Sequence, residues 1–443
     1  MYISVSHGAR WCIALALISA TSLPLQALGA PPGGNPAALQ QLREQVRLQV
    51  PAHAPDRLLV RFRRGADARA IERAHRRAGG LGLESIGRSG THLVRVPPGR
   101  VAEFLARYQA DPDVLYAQTD EYRVITYVPD EGNDPGPAAG GLVLGREYFA
   151  EQWGLDNTGQ QHSTATGAQV TGTAGADIDA PEAWDITTGL PSVKIAVLDT
   201  GIDCSSVEHV GKCVEELSFV SAWSDYGSDP GDYVGHGTHV AGIAAVHTDN
   251  GIGVAGVGWD SSLGNLKTCF AYQIDLLPPL GIYQTVGVCP LSASVAAIAH
   301  AADNGYHVVN MSYATDELDG NGDPDGSPAQ PNAETDALAY AWSQGLVLVA
   351  SAGNNNSTAR VYPAANTEVI AVAATNRYDD RAAFSSFSVP GDHWVSLLAP
   401  GEGILSTFRV TDCVFVADLL GYPFDPLTEG CLTWQSGTSM ASP

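Results

Sequence analysis

The sequence has no apolar run long enough to cross a membrane and no CxxC pair. A membrane-spanning helix needs about 20 consecutive apolar residues, so no stable membrane insertion is expected. Common zinc and thiol redox motifs require closely paired cysteines. Membrane transport and thiol–metal chemistry are therefore poor explanations of this chain.

Lysine is absent from residues 1–126, although the same residues carry 16 arginines against 10 carboxylates, a net charge of +6. Residues 127–443 carry 8 basic residues against 38 acidic ones, a net charge of −30. Parts of opposite charge attract each other. The acidic part also repels phosphate backbones, so no nucleic-acid partner is expected.

Residues 1–30 have the pattern of a secretory signal peptide. Arg10 precedes the short apolar run WCIALALISA, and the small residues near Ala27–Ala30 offer a cleavage site. We expect a protein exported to the extracellular medium or the periplasm. An uncleaved interfacial anchor is the alternative.

Removal of this leader would leave an even number of cysteines, which in an exported chain favours disulfides. They are Cys204, Cys213, Cys269, Cys289, Cys413 and Cys431. Six cysteines allow 15 pairings, and nearest-neighbour pairing would close three local loops.

The chain divides by composition. Residues 31–55 form a linker, and residues 56–126 follow a βαββαβ pattern, which predicts a small ferredoxin-like α+β domain. Residues 127–147 are rich in Pro, Gly and Asp and are a second linker. From 148 to 443, apolar strands alternate with helical segments, which predicts an α/β domain with a mostly parallel sheet and helices on both faces.

Four polar residues stand where predicted strands end or helices begin. Asp199 follows VKIAVL, and His236 lies in VGHGTHVAG at the start of a helix. Asn354 follows LVLVASAG, and Ser439 lies in SGTSMASP. Catalytic residues of parallel sheets gather at the carboxyl ends of the strands, so these four residues are candidates for one site.

Each of these residues has a simpler explanation when taken alone. Asp199 suits an Asx turn or helix cap, Ser439 an N-cap, and Asn354 a polar turn. His236 and His239 suit a metal pair, but the glutamate of the H-E-x-x-H zinc pattern is missing. Taken together, a hydroxyl, an imidazole, a carboxylate and an amide donor are the groups that a Ser-His-Asp hydrolase needs.

The segments VLDTGID, GHGTHVAGI, SAGN and GTSMASP resemble the four signature blocks of the subtilisin-like serine proteases, or subtilases. The resemblance begins near residue 148 and is strongest to the thermitase-like secreted bacterial branch. It implies that Ser439 is the nucleophile, His236 the general base and Asp199 the partner that orients it. Asn354 would donate a hydrogen bond to the oxyanion, and residues 56–126 resemble the family's inhibitory propeptide.

The resemblance also implies a substrate groove and a mode of control. The residues that match the substrate-pairing strand and the pocket for the residue before the cleaved bond are Ser312, Tyr313, Ala314, Ser351, Ala352 and Gly353. We expect a secreted monomeric endopeptidase that acts on polypeptides. We expect its own propeptide to inhibit it until cleavage within residues 123–147. A catalytically inactive, peptide-binding subtilase is the alternative.

Two segments are candidate structural Ca²⁺ sites. The family's calcium loop follows the helix of the catalytic histidine and aligns with HTDNGIGV at 247–254, where Asp249 and Asn250 are candidate ligands. NGDPDG at 321–326 is similar to the opening of a calcium loop, with Asn321, Asp323 and Asp325 as candidates. A solvated acidic insertion is the alternative for the second segment.

The last ten residues, WQSGTSMASP, contain the candidate nucleophile. In subtilases the proline leads into a buried helix that commonly reads HVAG. No such helix follows Pro443, so we expect the sequence to be incomplete at its C-terminus and the coding sequence to continue with that helix.

Overall fold

A computed structural model describes residues 49–125, 143–145, 148–165, 167–220, 229–277, 282–315, 330–420, 424–426 and 428–443. The expected signal peptide lies outside these residues, as do most of the two expected linkers. The candidate calcium ligands Asn321, Asp323 and Asp325 also lie outside them. Among the described residues, no helix combines the length and apolar character that spanning a bilayer requires.

Residues 53–125 fold as β1, α1, β2, β3, α2 and β4. Their bounds are β1 His53–Phe62, α1 Ala68–Ala78, β2 Gly82–Ile86, β3 Thr91–Arg95, α2 Val101–Gln109 and β4 Val114–Ile125. The strands lie antiparallel in the order β4-β1-β3-β2. The predicted ferredoxin-like pattern is thereby confirmed.

The sheet of this N-terminal part is apolar on both faces, which explains the dense hydrophobic pattern of β1. Leu58 and Val60 pack with Phe104 of α2 in a small core of their own. Leu59, which points the opposite way because strand side chains alternate, packs in the main core of the C-terminal part. The two parts of the chain therefore share a buried apolar interface.

A seven-stranded parallel sheet forms the centre of the C-terminal part, in the order β16-β15-β14-β13-β8-β10-β9. Its strands are β8 Lys194–Asp199, β9 Cys213–Ser218, β10 Ser262–Lys267, β13 Val308–Met311, β14 Val347–Ser351, β15 Ile370–Thr375 and β16 Leu397–Pro400. The strands β8, β13, β14 and β15 in the middle of the sheet are rich in Val, Ala and Leu, as expected for strands buried on both faces, whereas the edge strands β9 and β16 are partly exposed.

Helices cover both faces of this sheet, as the sequence predicts. The helices of this part are α3 Ala180–Trp184, α4 His236–Ala245, α5 Leu291–Asp303, α6 Asn332–Ser343, α7 Val410–Leu420 and α8 Thr438–Ala441, and a 3₁₀ turn spans Phe149–Glu151. In β8, Ala196 and Leu198 pack in the core that holds α5 and α6. Val197 between them packs with α4 on the other face.

A hairpin joins the two parts of the chain into one sheet. The hairpin is β11 Phe270–Leu277 with β12 Ile282–Pro290, and β12 pairs antiparallel with β4. The register places Gly287 opposite Ile125 and Cys289 opposite Arg123. The last strand of the N-terminal part is thus held by backbone hydrogen bonds of the C-terminal part.

The remaining strands form two small sheets. One is β5 Val143–Gly145 with β17 Ile404–Thr407 and β18 Gly430–Gln435, and the other is β6 Gln161–Ser163 with β7 Gln169–Thr171. The six cysteines pair as nearest neighbours, Cys204–Cys213, Cys269–Cys289 and Cys413–Cys431. All three disulfides lie in the C-terminal part and clip local loops.

Candidate active site

The structure joins Asp199 and His236, which are 37 residues apart. Nδ1 of His236 lies 2.8 Å from Oδ1 and 3.0 Å from Oδ2 of Asp199, and both side chains are buried. A carboxylate only accepts hydrogen bonds, so Nδ1 carries the proton and Nε2 of the neutral ring is the acceptor. Nε2 is buried without a hydrogen-bond partner, which leaves it available to take a proton.

A second carboxylate fixes the start of the helix that carries His236. Asp232 accepts hydrogen bonds from the backbone N–H groups of Val234, Gly235 and Thr238 and from the hydroxyls of Thr200 and Thr238. Asp232 is not among the residues predicted from the sequence. Its position shortly before a helical GHGTH run, where an Asp caps unpaired N–H groups, is the signal that could have identified it.

The glycines around His236 are required by close packing. Gly235 has φ 100°, which favours glycine, and a Cβ there would lie 2.2 Å from the ring of Phe408. A Cβ on Gly237 would lie 2.1 Å from the carbonyl oxygen of Gly201. Only glycine lets this helix start so close to the end of β8.

His239 does not share a site with His236. Its Nε2 lies 3.1 Å from the carbonyl oxygen of Thr433 and 3.2 Å from that of Ile404. Burial lowers the pKa of its ring to about 3. His239 is therefore a neutral packing residue, and the alternative of a His236–His239 metal pair finds no support in this geometry.

Ser439 lies in the first turn of the short helix α8, after Gly437. Its Oγ donates to the backbone carbonyl oxygen of Ser312 at 3.1 Å rather than to His236. The hydroxyl of Ser312 in turn donates to the carbonyl oxygen of Ser439 at 3.1 Å. The nucleophile candidate and the substrate-strand candidate are thus packed together.

The amide of Asn354 is fixed beside this serine. Its Oδ1 accepts hydrogen bonds from N–H and Oγ1 of Thr438, at 2.8 and 2.9 Å. This orients Nδ2 toward the Gly437–Ser439 turn, where it lies 3.3 Å from the position that a Cβ on Gly437 would occupy. A donor held in this way needs no reorganisation when charge develops nearby.

One cleft gathers most of the predicted substrate residues around Ser439. Its lining includes Ser312, Tyr313, Ala314, Thr315, Ser351, Gly353, Asn354, Val361 and Thr438. Ala352, also predicted here, instead packs in the hydrophobic core. Val124 and Ile125 at the end of β4 also line the cleft, so the N-terminal part reaches the candidate nucleophile.

The predicted electrostatic attraction between the two parts takes the form of specific pairs. Arg123 on β4 makes a bidentate contact with Glu334 on α6, at 2.5 and 2.9 Å. Arg61 pairs with Asp336 on the same helix, and Arg88 lies 3.6 Å from Asp303. Only the first pair is fully buried on both sides.

Asp120 of β4 caps the N-terminus of α5. Its carboxylate accepts the N–H of Ser292 at 2.8 Å and the hydroxyl of Ser292 at 2.7 Å. Burial raises the pKa of this carboxyl to about 6. Its charged neighbours are Asp56 and Arg57 of β1, and the phenol of Tyr122 also faces it.

A buried carboxylate lies beside the predicted calcium loop. Glu208 contacts the loop at Gly253, where a Cβ would overlap its Oε1, and the side chain of Asn250 is its polar neighbour. Neither of its oxygens accepts a hydrogen bond of normal geometry, and burial raises its pKa to about 8. Glu208 is not among the residues predicted from the sequence. Within the described residues, no group of three or more His, Cys, Asp or Glu side chains is arranged to hold a metal.

The fold is that of the subtilisin-like serine peptidases: a parallel sheet carries Asp199 at the end of β8, where it pairs with His236, and the short helix of Ser439 packs against the helix of His236. The model of the subtilase family matches residues 191–443. The chain therefore belongs to the subtilase family. Residues 41–120 match the model of the fervidolysin N-terminal prodomain, which identifies the N-terminal part as a prodomain.

Two curated relatives share about a third of their residues with this chain over the region that aligns. The thermophilic serine proteinase of Bacillus sp. (strain AK1) is 36% identical over 261 residues, which cover 59% of this chain and 52% of that protein. Thermitase of Thermoactinomyces vulgaris is 33% identical, over 60% of this chain and 76% of thermitase. The chain thus spans about half the length of the first relative and about three quarters of the second.

A solved structure shares the fold of both parts. Fervidolysin from Fervidobacterium pennivorans, described as a keratinolytic enzyme related to subtilisin, superposes with a TM-score of 0.57 at 22% identity. The alignment covers 89% of this chain and 54% of fervidolysin. At this identity the likeness shows the fold alone.

Proposed function

We propose that this subtilase is an exported serine endopeptidase, made as an inhibited precursor, that cleaves polypeptides through an acyl-enzyme. The observation that carries the proposal is the buried hydrogen-bonded pair of His236 and Asp199, on a helix that packs against the helix of Ser439, with Ser439 and Asn354 lining one cleft. Three disulfides suit an oxidising compartment, which supports export.

In the first step, the side chain of Ser439 turns from the Ser312 carbonyl toward His236. Oγ attacks the peptide carbonyl carbon while its proton passes to Nε2, and Asp199 stabilises the imidazolium that forms. The oxyanion accepts hydrogen bonds from Nδ2 of Asn354 and the N–H of Ser439. The C–N bond then breaks, and the leaving amine takes the proton from Nε2.

In the second step, a water molecule attacks the ester carbonyl of the acyl-enzyme. Nε2 of His236 takes the proton of this water and returns it to Oγ of Ser439 as the acid product leaves. The same oxyanion donors act again. Each proton that leaves one group reaches another, so the cycle restores the enzyme.

The prodomain inhibits the enzyme by occupying the cleft. The end of β4 runs beside Ser439, and β12 holds it by backbone hydrogen bonds. A polypeptide substrate cannot bind there until β4 leaves. Cleavage within residues 123–147 would separate the two parts.

The test is labelling with a fluorophosphonate, which reacts with activated serines. Wild-type protein freed of its prodomain should be labelled and should hydrolyse unfolded casein. Ser439→Ala should lose the label and about 10⁶-fold in kcat, and Asn354→Asp should lose about 10²–10³-fold while retaining the acceptor for Thr438.

The exposed serine variant Ser343→Ala is the control and should behave as wild type. A wild-type protein that binds peptides but takes no label would contradict the proposal and favour the inactive peptide-binding alternative.

We also propose that the 247–254 loop holds a structural Ca²⁺. The candidate oxygen ligands are Glu208, Asp249 and Asn250, and the unpartnered buried carboxylate of Glu208 is the feature that fits a hard cation. Bound calcium would supply the positive charge that this carboxylate lacks and would stabilise the fold by binding the native state alone.

Millimolar Ca²⁺ should raise the Tm of the wild type by about 5 °C or more over EDTA. Glu208→Gln should lose most of this difference, whereas the matched variant Glu215→Gln, whose carboxylate already accepts from His300 and Tyr306, should keep it. Equal calcium shifts in all three proteins would disprove the site.

A further inference from the structure

The prodomain strand places one arginine inside the peptidase part. Along β4, Arg123 and Ile125 point to the same side because strand side chains alternate, and both are buried. Ile125 lines the cleft of Ser439. Arg123 therefore lies two residues farther from the nucleophile, along the path that an extended substrate would follow.

Side chains of the peptidase part form a pocket around the guanidinium of Arg123. Glu334 of α6 binds it with both carboxylate oxygens, at 2.5 and 2.9 Å. The ring of Tyr313 lies 5.6 Å from its central carbon, within the range of a cation–π contact. Tyr313 also belongs to the lining of the Ser439 cleft, so the pocket opens into that cleft.

Departure of the prodomain would remove the cation from this pocket. Glu334 and Tyr313 are both buried in the complex, with Glu334 fully so. A buried carboxylate without a partner is costly, and a planar guanidinium satisfies it best because both oxygens are engaged at once. A substrate residue that restores this arrangement gains binding that a neutral residue cannot.

We propose that this protease selects polypeptides that carry an arginine on the N-terminal side of the cleaved bond. In a substrate that lies where the end of β4 now lies, one residue takes the place of Ile125, and the arginine stands two positions before it. Glu334 is the residue that selects it, and Tyr313 forms the wall of the pocket. The end of β4, residues 123–125, then binds in the same way as the preferred substrate. This inference rests on the proposed peptidase activity and adds its substrate class.

The experiment compares quenched fluorescent peptides of the chain's own sequence 120–129, DEYRVITYVP, with Arg, Lys or Gln at the place of Arg123. The mature wild-type enzyme should cleave the Arg peptide with kcat/KM about 30-fold or more above the Gln peptide. Lys should fall between them because it cannot bind both oxygens in plane.

Glu334→Gln should reduce kcat/KM for the Arg peptide to near that of the Gln peptide, while hydrolysis of the Gln peptide changes less than about threefold. Asp336→Asn is the matched control. It removes a carboxylate of the same helix that also pairs with a prodomain arginine, Arg61, but that does not face Arg123, and the preference for Arg should persist.

Glu334→Gln removes the carboxylate that pairs with Arg123 in the precursor, and this loss can prevent the precursor from folding. The double variant Arg123→Gln/Glu334→Gln restores a neutral pair there and, once mature, should show the same loss of preference. A preference that survives in either variant would overturn the proposal. So would equal cleavage of the Arg and Gln peptides by a wild type that hydrolyses casein. Absence of any Ser439-dependent hydrolysis would instead overturn the proposed function itself.

Discussion

The prodomain, residues 53–125, and the peptidase part from residue 148 hold their sheets together by different means. The prodomain has an antiparallel sheet, a small core of its own, and no cysteine in its sequence. The peptidase part has a buried parallel sheet and three disulfides. Several of the prodomain's buried groups, Leu59, Asp120 and Arg123 among them, contact the peptidase part.

This difference indicates that the peptidase part depends less on the prodomain for its stability than the prodomain depends on the peptidase part. The peptidase sheet carries its own covalent and apolar stabilisation. The prodomain depends on a partner to cover Leu59 and to neutralise Arg123. A segment that is marginally stable alone is also one that proteolysis removes readily once it is released.

The largest expected effect concerns the disulfides. Replacing Cys269 and Cys289 by alanine should lower the free energy of unfolding of the peptidase part by about 3 kcal/mol, since the bond closes a loop of about 20 residues. Denaturant unfolding measures this directly. Reducing agent should leave the denaturant unfolding curve of segment 49–125 unchanged. An equal shift of the unfolding curves of both parts would contradict the proposal that only the peptidase part is stabilised by disulfides.

The next effect concerns the three arginines that bridge the parts. Inhibition of the mature enzyme by added segment 49–125 should weaken about 30-fold for Arg123→Gln, because its partner is fully buried. It should weaken less than tenfold for Arg61→Gln, and hardly at all for the exposed Arg88→Gln. Equal losses for the three variants would show that general charge attraction, rather than buried pairing, holds the parts together.

The smallest effect concerns pH. The carboxyl of Asp120 has its pKa raised by burial from 3.8 to about 6 in the complex, so the complex binds this proton more tightly than the separated parts do. Its contribution to binding is complete below pH 4 and is lost as pH rises through 6. Inhibition by segment 49–125 should weaken about tenfold between pH 4.5 and 7.5.

Asp120→Asn keeps the size of the side chain but removes the titration. The pH dependence of inhibition should be flatter in this variant than in wild type. An unchanged profile would assign the pH dependence to other groups.

The sequence predicted the central sheet, the prodomain topology and the residues at the strand ends because these depend on local patterns. VKIAVLD and LVLVASAGN show both a buried strand and the polar residue that follows it. The features that sequence analysis missed depend on distant contacts. Arg123 and Glu334 are 211 residues apart, and neither an arginine in a strand nor a glutamate in a first helical turn is unusual alone.

Glu208 and Asp232 were missed for a related reason. Each acts on a segment that was recognised, the 247–254 loop and the helix of His236, but from a neighbouring loop. Their roles follow from burial and hydrogen bonding, which composition and periodicity do not encode. The β12–β4 pairing is likewise a long-range register that no local pattern determines.

The pairing of β12 with β4 separates two properties of the cleft. A strand edge offers N–H and C=O groups that any extended peptide can match, so under the proposed function the edge of β12 that β4 now occupies would bind a peptide backbone without regard to sequence. Glu334 touches only a side chain. If the proposals hold, β12 binds the substrate backbone and Glu334 selects the substrate side chain, so a mutation can change one property and leave the other unchanged.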